Sequence, residues 1–314
     1  MFYPKAVFDE SGYQIPESWE ELVTLSDRIV ADGRTPWCFG FESGTAASGW
    51  PGTDFIESLV LRVGGVDVYE AWTRGDIGFT SPEVMEAGRL ASEVIFEPGY
   101  VRGGAKGISD EAWNSQLDYM LARDSVTGQT ESECLMYHQA AFMLGAVPAA
   151  DQIGEDIDFF LLPSIGRNEP TPMIGHAHFV SALTDRPEVR AFMAFAASPE
   201  WGEHWAAVLD DHFISPNARF DLSAYGDASA NPAIAVQVRL AEAARAAFQS
   251  DSFRFDASDL MPEEIGGRTD AGPGAFWRAM IDWVDGARTI EDGFADIDAE
   301  WAALRAAEGS TSEP

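Results

Sequence analysis

Apolar positions recur every three or four residues along much of the chain, which is the spacing of amphipathic helices. Residues 16–33 are the clearest example, because Ser18 and Glu21 make a capping box and Gly33 ends the pattern. Thr53 is predicted to cap the next helix, which we expect to stop at Gly64. Further helices are predicted at 81–96 with Ser81 as cap, at 186–209 as a pair with Ser198 capping the second, at 231–250 with Asn231 as cap, at 274–286 and at 289–307.

Short apolar runs between these helices are typical of buried strands. They lie at 35–43, 134–142, 158–163 and 173–183. Strands and helices alternate in the first half of the chain, and helices dominate the second half. This order predicts the α/β fold class with a helix-rich return.

The charge of the chain is one-sided, with 52 acidic against 20 basic residues and a net charge of −32. Such a surface repels phosphate backbones and anionic lipid headgroups, so we expect no nucleic-acid partner. No apolar run reaches the length of a membrane span, roughly 18 residues. The first residues, MFYPKAVFDE, also lack the basic head and apolar stretch of a signal peptide.

The sequence contains none of the common catalytic motifs. There is no G-x-S-x-G and no H-E-x-x-H, and the glycines at 103–107 and 272–276 lack the spacing of nucleotide-binding loops. His176 and His178 alternate as on one side of a strand, but a metal would need a third ligand. We therefore expect no metal and no cofactor.

Aromatic and polar side chains share several turn-forming segments. Trp50 lies between a glycine and a proline, four residues before Asp54. The same combination recurs at Tyr137 and His138, at Asp256 and Asp259 within 253–262, and at Trp277 after Gly-Pro-Gly. Neutral sugars bind such surfaces, because aromatic faces cover the C–H side of the ring and carboxylates accept from the hydroxyls. Core packing stays the alternative for each tryptophan taken singly.

At this level of detail the chain resembles the extracytoplasmic solute-binding proteins of carbohydrate ABC transporters, and among them the α-glucoside-binding group. The resemblance rests on seven stretches, taken together, at 2–22, 33–44, 48–62, 134–143, 156–166, 253–266 and 274–283. It implies a two-lobed periplasmic-binding-protein-like fold of type II, as in maltose-binding proteins. It also implies that the protein binds a neutral oligosaccharide between its lobes without chemistry, docks on a membrane permease, and works as a monomer outside the cytoplasm.

The resemblance also assigns the candidate ligand-binding residues. They are Trp50, Asp54, Tyr137, His138, His176, Asp256, Asp259 and Trp277. Small departures from the commoner pattern, at 139–142 and 175–179, concern the identity of the ligand rather than its class.

The same resemblance predicts how the chain divides between lobes. Residues 1–172 correspond to the second lobe, 173–222 to a crossing segment with helices of the first lobe, 223–306 to a return to the second lobe, and 307–314 to a frayed tail. Since the family's first-lobe segment has no counterpart before residue 1, the first lobe is expected to be incomplete.

Cys38 and Cys134 do not form a redox or zinc motif, and their residue pattern fits either two buried thiols or one disulfide. The extracytoplasmic location that the resemblance implies favours the disulfide.

Two other functions fit the composition. A glycoside hydrolase would share the aromatic and carboxylate content but would need two carboxyl groups about 5–10 Å apart. A cytoplasmic interaction protein would agree with the missing signal peptide.

Overall fold

The computed structural model describes residues 1–128, 130–148, 152–166, 171–208 and 213–311. A four-stranded sheet in the order β2-β3-β1-β4 is formed by β1 (Phe2–Pro4), β2 (Trp37–Cys38), β3 (Met136–Tyr137) and β4 (Ile157–Phe159). β2 runs parallel to β3, whereas β1 is antiparallel to both β3 and β4. Two smaller sheets pair β5 (Met173–Gly175) with β6 (Phe253–Phe255), and β7 (Arg268–Thr269) with β8 (Gly272–Pro273).

Helices account for most of the remaining regular structure. They are α1 (Lys5–Ser11), α2 (Trp19–Ala31), α3 (Trp50–Thr73), α4 (Pro82–Ile95), α5 (Gln116–Met120), α6 (Pro187–Ala196), α7 (Pro199–Ala206), α8 (Pro232–Gln249), α9 (Ala257–Leu260), α10 (Glu263–Gly266), α11 (Ala275–Val284) and α12 (Ile290–Thr311). In the part of the chain that is described, none of them has the length and apolar character needed to cross a bilayer.

The start of α3 differs from the sequence prediction. The helix begins at Trp50, after Gly49 in a left-handed conformation with φ of 105°. Thr53 is therefore not a cap but lies inside the first turn, where its hydroxyl donates to the carbonyl oxygen of Trp50 at 2.9 Å. Neither does the helix stop at Gly64, because it resumes after a kink at Gly65, whose φ is 71°. Glycine can adopt this conformation without steric cost, so it bends the helix instead of ending it.

The other predicted caps are confirmed except one. Ser18 accepts from the backbone N–H of Glu21, and the Glu21 carboxylate reaches back to accept from the N–H of Glu17. Ser198 and Asn231 cap α7 and α8 through their side chains. Ser81 precedes α4, but its hydroxyl makes no capping hydrogen bond.

A large core joins the first part of the chain to the C-terminal helices. Its centre is a group of fully buried rings, in which Phe79 contacts Trp72, Phe276 and Phe294 edge to face at centroid distances of 5.1, 4.9 and 5.5 Å. Residues 257–301 thus pack with residues 1–108 in one core. A separate, smaller cluster lies between α7 and α8 around Phe220 and Tyr225.

A second core surrounds the sheet and contains a disulfide between Cys38 and Cys134, whose Cα atoms are 5.3 Å apart. Because β2 and β3 are neighbours with Cys38 opposite Tyr137, the bond ties adjacent strands near their ends. It links two strands that 96 residues of sequence separate.

Arg62 fastens α3 to the segment that leaves the sheet. Its guanidinium group donates to the carbonyl oxygens of Leu162 at 2.7 Å and of Pro163 and Pro172 at 3.0 Å. A single side chain therefore holds both ends of the stretch between the sheet and β5.

The segment from 176 to 200 is the most exposed apolar part of the described chain. α6 has no buried residue, and Phe179 and Leu183 are 74% and 94% exposed. α12 continues to Thr311, five residues into the stretch predicted to be frayed, and residues 312–314 lie outside the described residues.

Candidate ligand-binding site

Three half-buried aromatic rings form a cluster at the start of α3. The Trp50 ring contacts the rings of Trp113 at 5.4 Å and Phe142 at 6.2 Å, and Trp113 contacts Phe142 at 5.7 Å. The interplanar angles lie between 48° and 77°. Rings packed edge to face in this way hold one another in place while each keeps part of a face accessible. We call Trp50, Trp113 and Phe142 the aromatic wall.

His176 connects the aromatic wall to a group of carboxylates. Its ring stacks on Phe142 at 5.9 Å with an interplanar angle of 25°. β5 and β6 are parallel with Gly175 opposite Phe255, so His176 and Asp256 both follow directly at the same edge of this small sheet. Asp259 lies three residues after Asp256, near enough to His176 for the two side chains to interact electrostatically.

The carboxylates of Asp54, Asp256 and Asp259 lie together. Asp54 is half-buried on α3 and interacts directly with the carboxyl group of Asp256, which is 8% exposed. Burial raises the pKa of Asp54 well above its usual value, and the negative charges of Asp256 and Asp259 raise it further. Partial burial of its carboxyl group and the charge of Asp256 also raise the pKa of Asp259, although the residue as a whole is exposed.

Trp277 joins the group from α11. It is half-buried, and its indole Nε1 has no hydrogen-bond partner in the described part of the protein although that atom is shielded from solvent. The backbone of Gly49 lies against the backbone of Trp277, so the first turns of α3 and α11 meet. Neither Trp50 nor Trp277 is fully buried.

Tyr137 and His138 lie behind the aromatic wall. Tyr137 is 1% exposed, and its hydroxyl donates to the carbonyl oxygen of Trp113 at 2.7 Å. Burial raises the pKa of Tyr137, so the hydroxyl remains a donor. His138 contacts the ring of Phe55 at 5.3 Å, and burial lowers its pKa well below the usual value. Because the Tyr137 hydroxyl already donates to the backbone of Trp113, we infer that Tyr137 supports the Trp113 ring and does not contact a ligand.

All eight predicted residues therefore belong to one region of the molecule. Three further residues of this region were missed, namely Trp113, Phe142 and Glu57. Phe142 could have been recognised by its position four residues after His138, and Trp113 as a tryptophan in a segment without helical periodicity. Nothing in the sequence marks Glu57, because it sits in the middle of an apolar helical run.

Within the described residues, no group of three or more histidine, cysteine or acidic side chains is arranged to hold a metal ion. The Asp54 and Asp256 carboxyl groups interact strongly enough for Asp256 to raise the pKa of Asp54, whereas glycoside hydrolases separate their carboxyl groups by about 5–10 Å to admit the substrate or a water.

Comparison with known proteins gives a consistent set of matches. The model of the family described as bacterial extracellular solute-binding protein matches residues 1–203. The alpha-glucosides-binding periplasmic protein AglE of Rhizobium meliloti is 32% identical over 309 residues, which is 97% of this chain and 61% of that protein. The osmoprotective compounds-binding protein GgtB of Synechocystis is 31% identical over 282 residues, or 89% of this chain and 60% of that protein. The chain thus spans about three fifths of the length of these relatives.

Solved structures share the fold at low sequence identity. The bacterial solute receptor AcbH, described as exclusive for β-D-galactopyranose, superposes with a TM-score of 0.72 at 16% identity, over 96% of this chain and 69% of that one. RafE of Streptococcus pneumoniae gives a TM-score of 0.62 at 17% identity, over 95% of this chain and 67% of RafE. Maltose-bound MalE3 of T. maritima gives 0.59 at 16% identity, over 96% and 68% of the two chains.

Proposed function

We propose, from the premise that this chain belongs to the family of bacterial extracellular solute-binding proteins, that it forms the sugar-binding part of an ABC importer's solute-binding component. Its ligand is a neutral oligosaccharide, and its ligand class is that of α-glucosides. The observation that carries this proposal is the meeting of the aromatic wall with three carboxylates at one partly exposed surface.

The predicted fold class is confirmed, since the chain has the α/β architecture of the two-lobed, maltose-binding-like sugar receptors. The relatives and the structural neighbours are solute-binding proteins and not enzymes, so the glycoside hydrolase alternative loses its support. The family is extracellular, which agrees with an extracytoplasmic location and disfavours the cytoplasmic interaction protein.

The choice of an α-glucoside rests on the likeness to AglE, which is named for such ligands. In our proposal the aromatic wall covers the C–H face of a glucosyl ring. Asp54, Asp256 and Asp259 accept from its hydroxyl groups. Trp277 supplies a second ring, and its free indole N–H supplies a donor.

The experiment is a calorimetric titration of the full-length gene product with maltose, trehalose and sucrose, and with cellobiose as the β-linked comparison. We expect one-site binding of at least one α-glucoside and weaker binding of cellobiose. Loss of the Phe142 ring in Phe142→Ala should weaken binding about tenfold, because one aromatic face is worth about 1.4 kcal/mol.

Phe96→Ala is the matched control, because this half-exposed ring contacts Trp283 and none of the rings of the aromatic wall. It should leave the dissociation constant unchanged. If the folded full-length product binds no neutral saccharide, the proposal is refuted. If it releases the aryl alcohol from aryl α-glucosides, the glycoside hydrolase becomes the better interpretation. The permease partner and the monomeric state are further parts of the proposal, which co-purification with the membrane subunits and light scattering would check.

A further inference from the structure

Glu57 is a fully buried carboxylate that no described cation neutralises. It lies on α3, one turn after Asp54, and is 0% exposed. The groups that face it are Asp54 on the same helix, Tyr69 beyond the kink, and Asp256 at the start of α9. Burial and the charges of Asp256 and Asp54 raise the pKa of Glu57 well above its usual value. A carboxyl group placed here is costly, and a well-packed apolar residue would stabilise the fold more.

Three hydrogen bonds of Glu57 converge on one turn, and a longer one of 3.4 Å comes from the Tyr69 hydroxyl on its own helix. Its Oε2 accepts from the backbone N–H of Ala257 at 2.6 Å, and its Oε1 accepts from the N–H of Ser258 at 3.2 Å and from the Ser258 hydroxyl at 2.6 Å. Tyr69 donates to the carbonyl oxygen of Phe255 at 3.0 Å, at the entry of the same turn. α3 thus holds the turn from both sides.

This turn carries two of the candidate ligand-binding carboxylates. Asp256 stands immediately before the residues that Glu57 holds, and Asp259 stands immediately after them. Asp256 also accepts from the N–H of Ser258 at 2.9 Å, so the same backbone group is shared between Glu57 and Asp256. Glu57 therefore sets the position of Asp256 relative to Asp54 without itself reaching the surface.

We propose that Glu57 is a positioning residue for ligand binding, which fixes the Asp256–Asp259 turn against Asp54 so that the three carboxylates face one ligand. This inference rests on the proposed sugar-binding function. It assigns a role to a buried residue that would otherwise be a defect of the core, and it explains why an acidic side chain is placed in an apolar helical run.

The test is a double-mutant cycle on the full-length product with maltose or the best α-glucoside as ligand. Glu57→Gln is measured in the native background and in a background with Asp256→Asn and Asp259→Asn. We expect Glu57→Gln to lower the affinity about tenfold in the native background. In the background with Asp256→Asn and Asp259→Asn, the same change should lower the affinity less than twofold. Glu86→Gln, which removes a surface carboxylate that pairs with Arg89, is the matched control and should change neither affinity.

A merely structural role predicts an equal loss in both backgrounds, because a general destabilisation does not depend on Asp256 and Asp259. That result, or an unchanged affinity of folded Glu57→Gln, overturns the proposal. If circular dichroism shows that Glu57→Gln does not fold, Ser258→Ala replaces it, since this change removes one donor to Glu57 from the other side of the contact. A native protein that binds no saccharide would instead refute the sugar-binding function itself.

Discussion

The backbone of Gly49 lies so close to the carbonyl group of Trp277 that a β-carbon at residue 49 would overlap its oxygen atom. Gly49 also has a φ of 105°, in the region that side chains disfavour. Its two properties together let α3 begin with Trp50 directly beside the first turn of α11. Trp50 and Trp277 are neighbours because Gly49, which precedes Trp50, has no side chain to hold the Trp277 backbone away.

Replacing this glycine should destabilise the protein strongly. Gly49→Ala combines backbone strain of about 1–3 kcal/mol with a clash that only a shift of α11 can relieve, so we expect a loss above about 3 kcal/mol in urea unfolding. Gly44→Ala is the control, because Gly44 also has a positive φ, of 75°, but open space around it. The idea is wrong if both variants lose the same amount.

Removing the hydroxyl of Tyr137 should separate stability from binding. Tyr137→Phe loses a buried hydrogen bond to the Trp113 carbonyl, which costs about 1 kcal/mol of unfolding free energy, and frees the backbone that holds the Trp113 ring. Tyr13→Phe loses a comparable bond, to Asp32 at 3.0 Å. We expect similar losses of stability in denaturant titrations, but a weaker sugar affinity only for Tyr137→Phe. Equal affinities of the two variants would count against a supporting role of Tyr137.

The disulfide between Cys38 and Cys134 should contribute about 2–5 kcal/mol, since it closes a long loop in the unfolded chain. Dithiothreitol should lower the urea midpoint of the native protein by the corresponding amount. The double variant Cys38→Ser with Cys134→Ser should start from that lower midpoint and show no response to the reductant. A native protein whose midpoint ignores the reductant would show that the bond adds nothing to stability.

Asp54 should make stability depend on pH. Its pKa is raised in the folded protein, so its contribution is fully present below the unfolded value of about 3.9 and is lost as the pH rises through the folded value. Asp54→Asn cannot ionise and so escapes this loss. The unfolding free energy of the variant minus that of the native protein should therefore increase by at least about 1.4 kcal/mol between pH 4 and pH 8. Asp67→Asn, at an exposed position of the same helix, should show no such trend. A difference that stays constant with pH for Asp54→Asn would contradict the assignment.

The sequence predicted the helices well where local chemistry decides them. The caps at Ser18, Ser198 and Asn231 depend only on residues within one turn, and all three form. The start of α3 was mispredicted because a better local cap, Thr53, loses to a contact between Gly49 and a residue more than 200 positions away. Contacts of that range leave no periodic signal in the chain.

In the candidate site, too, residues marked by local sequence were predictable and residues placed by long-range contacts were not. Trp50 and Trp277 were recognisable because bulky aromatic rings are unusual in turn-forming segments, and Asp54 because it follows Trp50 by four residues. Trp113 could have been noticed as a tryptophan outside any predicted helix, but its place beside Trp50 is a long-range contact that no local pattern indicates. Glu57 was hidden because a buried acid is explained only by what lies opposite it in three dimensions.

The negative charge of Asp54, Asp256 and Asp259 also determines which saccharides this cluster disfavours. Among the described residues, no lysine or arginine offsets the charge of this cluster. A hexose that carries a phosphate or a uronic acid group would meet like charge at short range in a poorly hydrated place, and would be turned away. A site of this charge would therefore select saccharides by the absence of an anionic group as well as by the shape of the ring.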